Sequence, residues 1–408
     1  MGHGLTAGVS AAARPSAGQD PTRSRTLRCV AAPRASRPVR ERLVATFLRL
    51  VQVDSPSRGE GALARLLLAE LQRLGWQARD DATGPDCGNV IAVLAGDDAL
   101  DPLLFTSHMD VVMPCLGVRP RLEAGVVVSA GDTVLGADAK ASVAALLELA
   151  EVLAERGARP ARPPLELVFT WGEEIGHLGA KALDIGQLRA RRAYVLDGLT
   201  PVGTIVIAAP TYHAFSIRVI GRAAHAGVEP ERGVSAITVA AEALRRLPWG
   251  RLDAATTANV GTIAGGSARN AVAADVRLEG EVRSQDAARA AECARAIREV
   301  FERVATEAGG HAEIDMRPLY AGYQLAEDDA VVAAASRAFG ALQGGGPSRL
   351  LRSGGGSDAN ELNARGISSC VLGIGAEGCH SVHERIRVSE LELLTDWVLE
   401  LVRQAARS

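Results

Sequence analysis

Short apolar runs alternate with stretches of helical period from Val39 to about Pro210, and nothing else in the chain constrains its fold as strongly. "RERLVATFLRLVQV" and "GALARLLLAELQRLGW" are amphipathic, and "KASVAALLELAEVLAERG" reads as a helix. Between them lie the strand-like runs "NVIAVLAG", "DPLLFTSHMDVV", "LELVFTWGEE" and "RRAYVLDG". Short apolar strands separated by helices form an α/β sheet covered on both faces. In such sheets ligands bind outside the carboxyl ends of the strands.

The pattern changes after Pro210. "YHAFSIRVIG" alternates as a strand, with His213, Phe215, Ile217 and Val219 on one side. A helix, two strands, a glycine-terminated helix and a last strand follow, ending near Tyr323. The order β-α-β-β-α-β is that of a ferredoxin-like unit. Residues 211–322 therefore read as a second, α+β domain inserted into the first, which comprises 39–210 and 323–408. The tail of the chain returns to α/β style, with a helix around 327–343, the strand "SSCVLGIG" and a final helix from about Ser389. A length of 408 residues suits two domains.

Composition narrows the function. The chain is 47% hydrophobic and 23% charged, as globular proteins are. A net charge of −3 with only 3% aromatic residues argues against nucleic acid or an anionic membrane as partner. No uninterrupted apolar run is long enough to span a bilayer. Cysteines 29, 87, 115, 293, 370 and 379 form no CxxC pair, which suggests reduced thiols in a cytoplasm. The first 38 residues differ from the rest. They are rich in Ala, Arg, Ser, Gly and Pro, with Asp20 as the only acid. An organellar transit peptide shares that composition, but the plainer expectation is a disordered tail or a start codon placed too early.

Several segments place metal-type ligands where strands end. "LLFTSHMD" offers His108 and Asp110, "LGADAK" Asp138, "TWGEE" Glu173 and Glu174, and "VLDG" Asp197. "GCHSVHE" adds Cys379, His380, His383 and Glu384. Histidine and carboxylate ligands suit hard-to-borderline divalent metals. His108 and Asp110 are two apart, which on a strand puts both on one face and lets the carboxylate orient the imidazole. Glu173 and Glu174 are adjacent, which on a strand would turn them to opposite faces. Taken singly, each element has a plain structural explanation. Asp138 would serve as a helix N-cap, and paired glutamates usually mark a solvated turn. Their coincidence at the strand ends of one sheet points to a metal site.

The ordered motifs "SHMDVV", "LGADAKA", "GEEIGHLGAKAL", "VLDG", "GRAAHAGVEPERGVSAI", "GGGSDAN" and "HSVHE" resemble metallopeptidase family twenty, most closely its peptidase T-like branch. The resemblance runs from about residue 40 to the C-terminus. It implies a two-metal site, usually zinc, with cobalt or manganese as alternatives. One ion would be held by His108, Asp138 and Asp197, the other by Asp138, Glu174 and His380. Glu173 would take a proton from the attacking water and pass it to the leaving amine. Asp110 would orient His108. His380 is preferred over His383 because Glu384 then fits the family spacing.

The inserted domain resembles the family's lid and dimerisation domain, which implies a homodimer. His225 matches a histidine that reaches the partner's site and stabilises an oxyanion. Asn270 and Arg283 match substrate contacts, although Arg283 shares a strand face with Arg277, Glu279 and Glu281 that would ordinarily be solvated. Gly355 and Gly356 would let substrate approach the main chain. Two residues depart from the family pattern, with Ala139 where it has an aspartate and Ser142 where it has a glycine.

The resemblance implies a hydrolase of short peptides, a tripeptidase or aminopeptidase. The same metal chemistry would also deacylate N-acyl amino acids. A non-catalytic binding protein on a peptidase fold is the third reading, and an intact Glu173 argues against it.

Overall fold

The computed structural model describes residues 37–156, 162–342 and 347–407. Its larger sheet has nine strands. Across the sheet the order is Gln77–Asp80, Val90–Leu94, Leu165–Thr170, Leu103–His108, Arg192–Gly198, Ser368–Gly373, Thr204–Ala209 and Tyr323–Gln324, with Arg349–Arg352 also pairing with Thr204–Ala209. The four strands from Leu165–Thr170 to Ser368–Gly373 are mutually parallel, and antiparallel partners flank them on both sides.

Strand periodicity explains why the central runs read as continuously apolar. In Leu103–His108, Leu103 and Phe105 point into one core and Leu104 into another. The first core also holds Leu43, Phe47 and Leu50 of the helix Arg37–Val51, spaced for one helical face. Ala137–Arg156 lies in the same layer and is buried along most of its length. Its Glu148 is tolerated there because Arg42 donates two hydrogen bonds to it, at 2.9 and 2.6 Å. The last helix, Val388–Ala405, is pinned by Trp397, whose indole N–H donates to the Ala335 carbonyl at 3.0 Å.

The second sheet has five strands in the order Gly250–Arg251, Thr256–Gly265, Asp275–Ser284, Thr211–Ile220 and His311–Tyr320, all antiparallel. Helices Ala236–Arg245 and Ala287–Glu307 cover one face. Phe215, Ile217, Val219, Leu278 and Phe301 form a core of its own there. The expected β-α-β-β-α-β order is present, with the short strand Gly250–Arg251 added. The opposite face is open and lines a groove of about 520 Å³.

Some local details differ from expectation. The first helix begins at Arg37, two residues inside the stretch expected to be extension; residues 1–36 lie outside the described part. A four-stranded sheet with the hairpin Pro120–Glu123 and Val126–Ser129 was not foreseen, nor was the strand Thr204–Ala209. No helix among the described residues is long and apolar enough to cross a membrane. The five described cysteines are free, and Cys29 lies outside.

Candidate metal and catalytic centre

The acidic and histidine side chains converge beyond the carboxyl ends of the parallel strands. Their local geometry is not the one that strand alternation suggested. Leu103–His108 stops at His108, so Asp110 lies past the strand. Leu165–Thr170 stops at Thr170, so Glu173 and Glu174 lie past it too. Gly172 takes a left-handed φ of 59°, open to glycine at little cost, and turns the chain away from strand geometry. Two buried carboxylates then hold that turn. Glu60 accepts from the Gly172 amide at 3.0 Å. Asp110 accepts from the Glu173 amide at 2.9 Å, the Glu174 amide at 3.2 Å and the Ser57 hydroxyl at 2.6 Å. The glutamates diverge because of this anchored turn.

Asp110 does adjoin His108, but mainly through its backbone. His108 Nδ1 lies 3.0 Å from the Asp110 carbonyl and 3.5 Å from its carboxylate. His108 Nε2 lies 3.2 Å from Asp138 Oδ1 and 3.3 Å from Asp197 Oδ1. His380 Nε2 lies 3.2 Å from both Asp138 Oδ2 and Glu174 Oε1. Two donor sets result, His108 with Asp138 and Asp197, and Asp138 with Glu174 and His380. Within each set the donor atoms lie within 4.8 Å of one another. Asp138 belongs to both, one oxygen to each histidine. It does not serve as an N-cap: among the described residues its two oxygens meet the histidine rings and no amide of the first helical turn, and it and Ala139 have non-helical backbone angles there. Glu384 fixes it there by accepting from the Gly136 and Asp138 amides at 2.6 and 2.9 Å. Among the described residues no hydrogen bond or ion pair joins the ring of His383 to the cluster.

The electrostatics show too little positive charge. Burial pulls His108 down, yet Asp110, Asp138 and Asp197 together hold it well above the usual imidazole range. His380 is raised to about 10, first by Asp138 and then by Glu174. Burial pushes Asp197 up to about 7, with Asp138 and Asp358 adding to the rise. Burial also raises Glu173, reinforced by Asp197. Burial opposes ionisation of Asp138, but His108 and His380 outweigh it and hold its carboxyl below the usual range. Glu174 Oε1 is buried and accepts no hydrogen bond. Crowded carboxylates, an orphaned acceptor and two imidazoles between them fit divalent cations. Ala139 is fully buried, so a carboxylate there would add charge to this crowd. Ser142 is buried with an unpartnered hydroxyl. Burial keeps the Cys379 thiol protonated, with Asp138 adding to the effect.

The remaining expected residues lie on the second sheet or at its junction with the first. His225 and Asn270 are neighbours on exposed loops, where the Ala226 amide donates to the Asn270 carbonyl at 3.0 Å. Neither has a hydrogen bond or ion pair to the cluster among the described residues. Arg283 is half-buried rather than solvated. It pairs with Glu281 at 3.0 Å, donates to the Tyr320 hydroxyl at 3.2 Å and lies 4.3 Å from the Tyr212 ring centroid. The Gly355 amide donates to Ser353 Oγ at 3.0 Å. A β-carbon on Gly356 would sit 2.3 Å from Tyr320 Cζ, so close approach requires glycine there.

Three further buried residues, Glu60, Asp358 and His177, carry no signal of their own in the sequence. Glu60 anchors the glutamate turn, and Asp358 accepts from Thr170 Oγ1 at 2.5 Å. His177 lies 3.3 Å from Glu173 and stacks on Tyr320. Asp358 and His177 stood inside the quoted motifs "GGGSDAN" and "GEEIGHLGAKAL", but nothing in their spacing marked them.

The sequence model of the family described as Peptidase family M20/M25/M40 matches residues 104–404. Uncharacterized protein YqjE of Bacillus subtilis is 39% identical over 371 residues, 90% of this chain and 99% of that protein. Two solved structures are similar over 90% of this chain and 99% of their own. Aminopeptidase PepT from Bacillus cereus has a TM-score of 0.83 at 40% identity. A tripeptidase from Staphylococcus aureus has a TM-score of 0.87 at 38% identity. With most of the chain matched and the acid–histidine cluster in place, the protein belongs to peptidase family M20/M25/M40 and is a peptidase-type hydrolase.

Proposed function

We propose that the protein is a dinuclear metal-dependent peptidase that removes N-terminal residues from short peptides, tripeptides among them. The observation that carries this reading is Asp138, whose two oxygens serve two separate donor sets. His108, Asp138 and Asp197 would hold one divalent ion, and Asp138, Glu174 and His380 the other. Zinc suits these nitrogen and oxygen donors, and cobalt or manganese would also fit. Ions there supply Lewis-acid polarisation of a carbonyl and acidify water. The solved relatives described as an aminopeptidase and a tripeptidase support the choice of substrate.

The chain's own groups divide the remaining work. Glu173 is left outside both donor sets, so its carboxylate is free to accept a proton from the attacking water and return it to the leaving amine. Asp110 holds the Glu173 and Glu174 amides and touches His108, and so sets base and ligands in one frame. Arg283 offers a guanidinium for a peptide carboxylate. Gly355 and Gly356 bring backbone close to the substrate.

Residues 211–322 act, in this reading, as a lid and dimerisation domain on the catalytic domain formed by 39–210 and 323–408. Two observations support it. The strand Thr256–Gly265 is paired on its outer side only at Thr257 and Ala258 among the described residues. Its remaining edge carries the exposed Ile263, which suits pairing with a second copy. His225, detached from the cluster of its own chain, is free to serve the partner's site as an oxyanion donor with Asn270 beside it.

The test is a metal assay with a substrate panel. The purified protein, loaded with zinc, cobalt or manganese, is offered tripeptides and N-acyl amino acids. Tripeptide hydrolysis is expected. Glu173→Gln should keep both metals and lower kcat by about 10²- to 10⁴-fold. Turnover that ignores metal, or that survives Glu173→Gln, overturns the proposal. Hydrolysis of N-acyl amino acids alone moves the substrate assignment to a deacylase.

A further inference from the structure

His177 stands beside Glu173 and belongs to neither donor set. It lies in the turn after Glu173, 4% exposed, with a left-handed φ of 58° that a residue with a β-carbon seldom adopts. Its amide donates to the Glu173 carbonyl at 2.8 Å, so the turn folds it back over that glutamate. Its ring Nε2 then stands 3.3 Å from Glu173 Oε1. An N–H at that nitrogen is a donor within reach of the carboxylate.

Two further observations separate this from ordinary packing. Nδ1 is buried and makes no hydrogen bond, with Glu361 Oε1 no nearer than 3.8 Å. A buried imidazole with an idle nitrogen is costly, and an apolar side chain would fill the same space without that penalty. What the imidazole adds is its contact with Glu173. The ring is also stacked on Tyr320, centroids 4.5 Å apart and planes 24° apart. Tyr320 ends a strand of the second sheet, and its hydroxyl accepts from Arg283 at 3.2 Å. Gly356 leaves the room that the tyrosine ring needs.

We propose that His177 is a positioning residue for Glu173, held in place by the Tyr320 ring, so that seating the second sheet on the first completes the setting of the base. The inference rests on Glu173 being the group that carries the proton. Tyr320 belongs to the second sheet, so the wall behind the imidazole stands only while that sheet is seated. Arg283 is joined to the same tyrosine, which links the guanidinium to the base through two aromatic groups.

Four variants test this in the metal-loaded, full-length enzyme on a tripeptide. Asparagine tolerates the left-handed backbone but is too short to reach Glu173. His177→Asn should lower kcat by about 10- to 100-fold, with KM within about twofold and metal content unchanged. His177→Gln restores an N–H at longer reach and should recover a large part of the loss. Tyr320→Leu removes the wall and should lower kcat as His177→Asn does, whereas Tyr320→Phe keeps the ring and should lower it less. In a Glu173→Gln background, His177→Asn should have no further effect, because the two residues act as one unit. Wild-type kcat in His177→Asn, or an equal fold-loss from it with and without Glu173, overturns the inference while leaving Glu173 as the base. Full turnover in Glu173→Gln overturns the underlying reading instead. If His177→Asn does not fold, the contrast between Tyr320→Leu and Tyr320→Phe decides, and equal kcat in the two overturns the inference.

Discussion

The acid–histidine cluster and the open face of the second sheet are both rich in charge, and they handle it in opposite ways. In the cluster, carboxylates are buried and anchored by backbone amides from distant parts of the chain. Asp110, fully buried, gathers Ser57, Glu173 and Glu174, and Glu384 gathers Gly136 and Asp138. On the open face, charges pair with near neighbours across exposed strands, as Arg317 does with Asp315 and Arg218 with Glu313. Leaving a buried carboxylate unpartnered is costly, so Asp110 and Glu384, each held by two backbone amides, are fixed in position before any substrate arrives. An exposed pair contributes little and can exchange partners freely. Chemistry that needs fixed geometry belongs in the first setting, and contacts that adapt to a substrate belong in the second.

The sharpest way to break that comparison is at Asp138. Asp138→Asn keeps the shape but leaves each donor set one anion short. It should reduce metal occupancy in both sets and abolish turnover, read by metal analysis and tripeptide hydrolysis. Loss of one ion only would mean that Asp138 is not shared. A smaller effect is expected at Glu384, which accepts from backbone amides and belongs to neither donor set. Glu384→Gln turns an amide N–H₂ toward a backbone N–H that now meets a carboxylate oxygen. That mismatch should lower stability by about 1–3 kcal/mol, read by urea unfolding, with a matching fall in metal affinity. Unchanged stability would show that the Gly136–Asp138 loop holds its shape without the carboxylate.

The fold was legible because its signal is repetitive. Leu103, Leu104 and Phe105 are buried on alternate faces, and a run of that kind has few readings besides a central strand. Likewise Phe215, Ile217 and Val219 announce a strand with one covered face. The candidate ligands were picked out through the resemblance of long motifs, and the fold brings His108, Asp138, Asp197, Glu174 and His380 together in two clusters. Strand geometry does not carry past His108 and Thr170, where the two strands end. Glu173 and Glu174 diverge through a turn held by Glu60 and Asp110, residues far from them in sequence. Such long-range anchoring leaves no periodicity to read. His177 and Tyr320 are hidden for the same reason, since their contact joins two sheets.

The smallest effects should separate two arginines of the second sheet. Arg283 is fenced by Tyr212, Tyr320 and Glu281 and is half-buried. Arg317 has a side chain 71% exposed and among the described residues pairs with Asp315 on its own strand. If substrate carboxylates are read by a fixed guanidinium, Arg283→Ala should raise KM about tenfold, equivalent to about 1.4 kcal/mol of binding. Arg283→Lys should not rescue it, because an ammonium cannot stack on Tyr212 or pair bidentately. Arg317→Ala should leave KM within about twofold, as loss of an exposed ion pair usually does. The measurement is KM on a tripeptide series for each variant at one ionic strength. Equal effects at the two positions would mean that the open face reads substrate by its overall charge. The contrast between fixed and adaptable charge would then stop at the edge of the acid–histidine cluster.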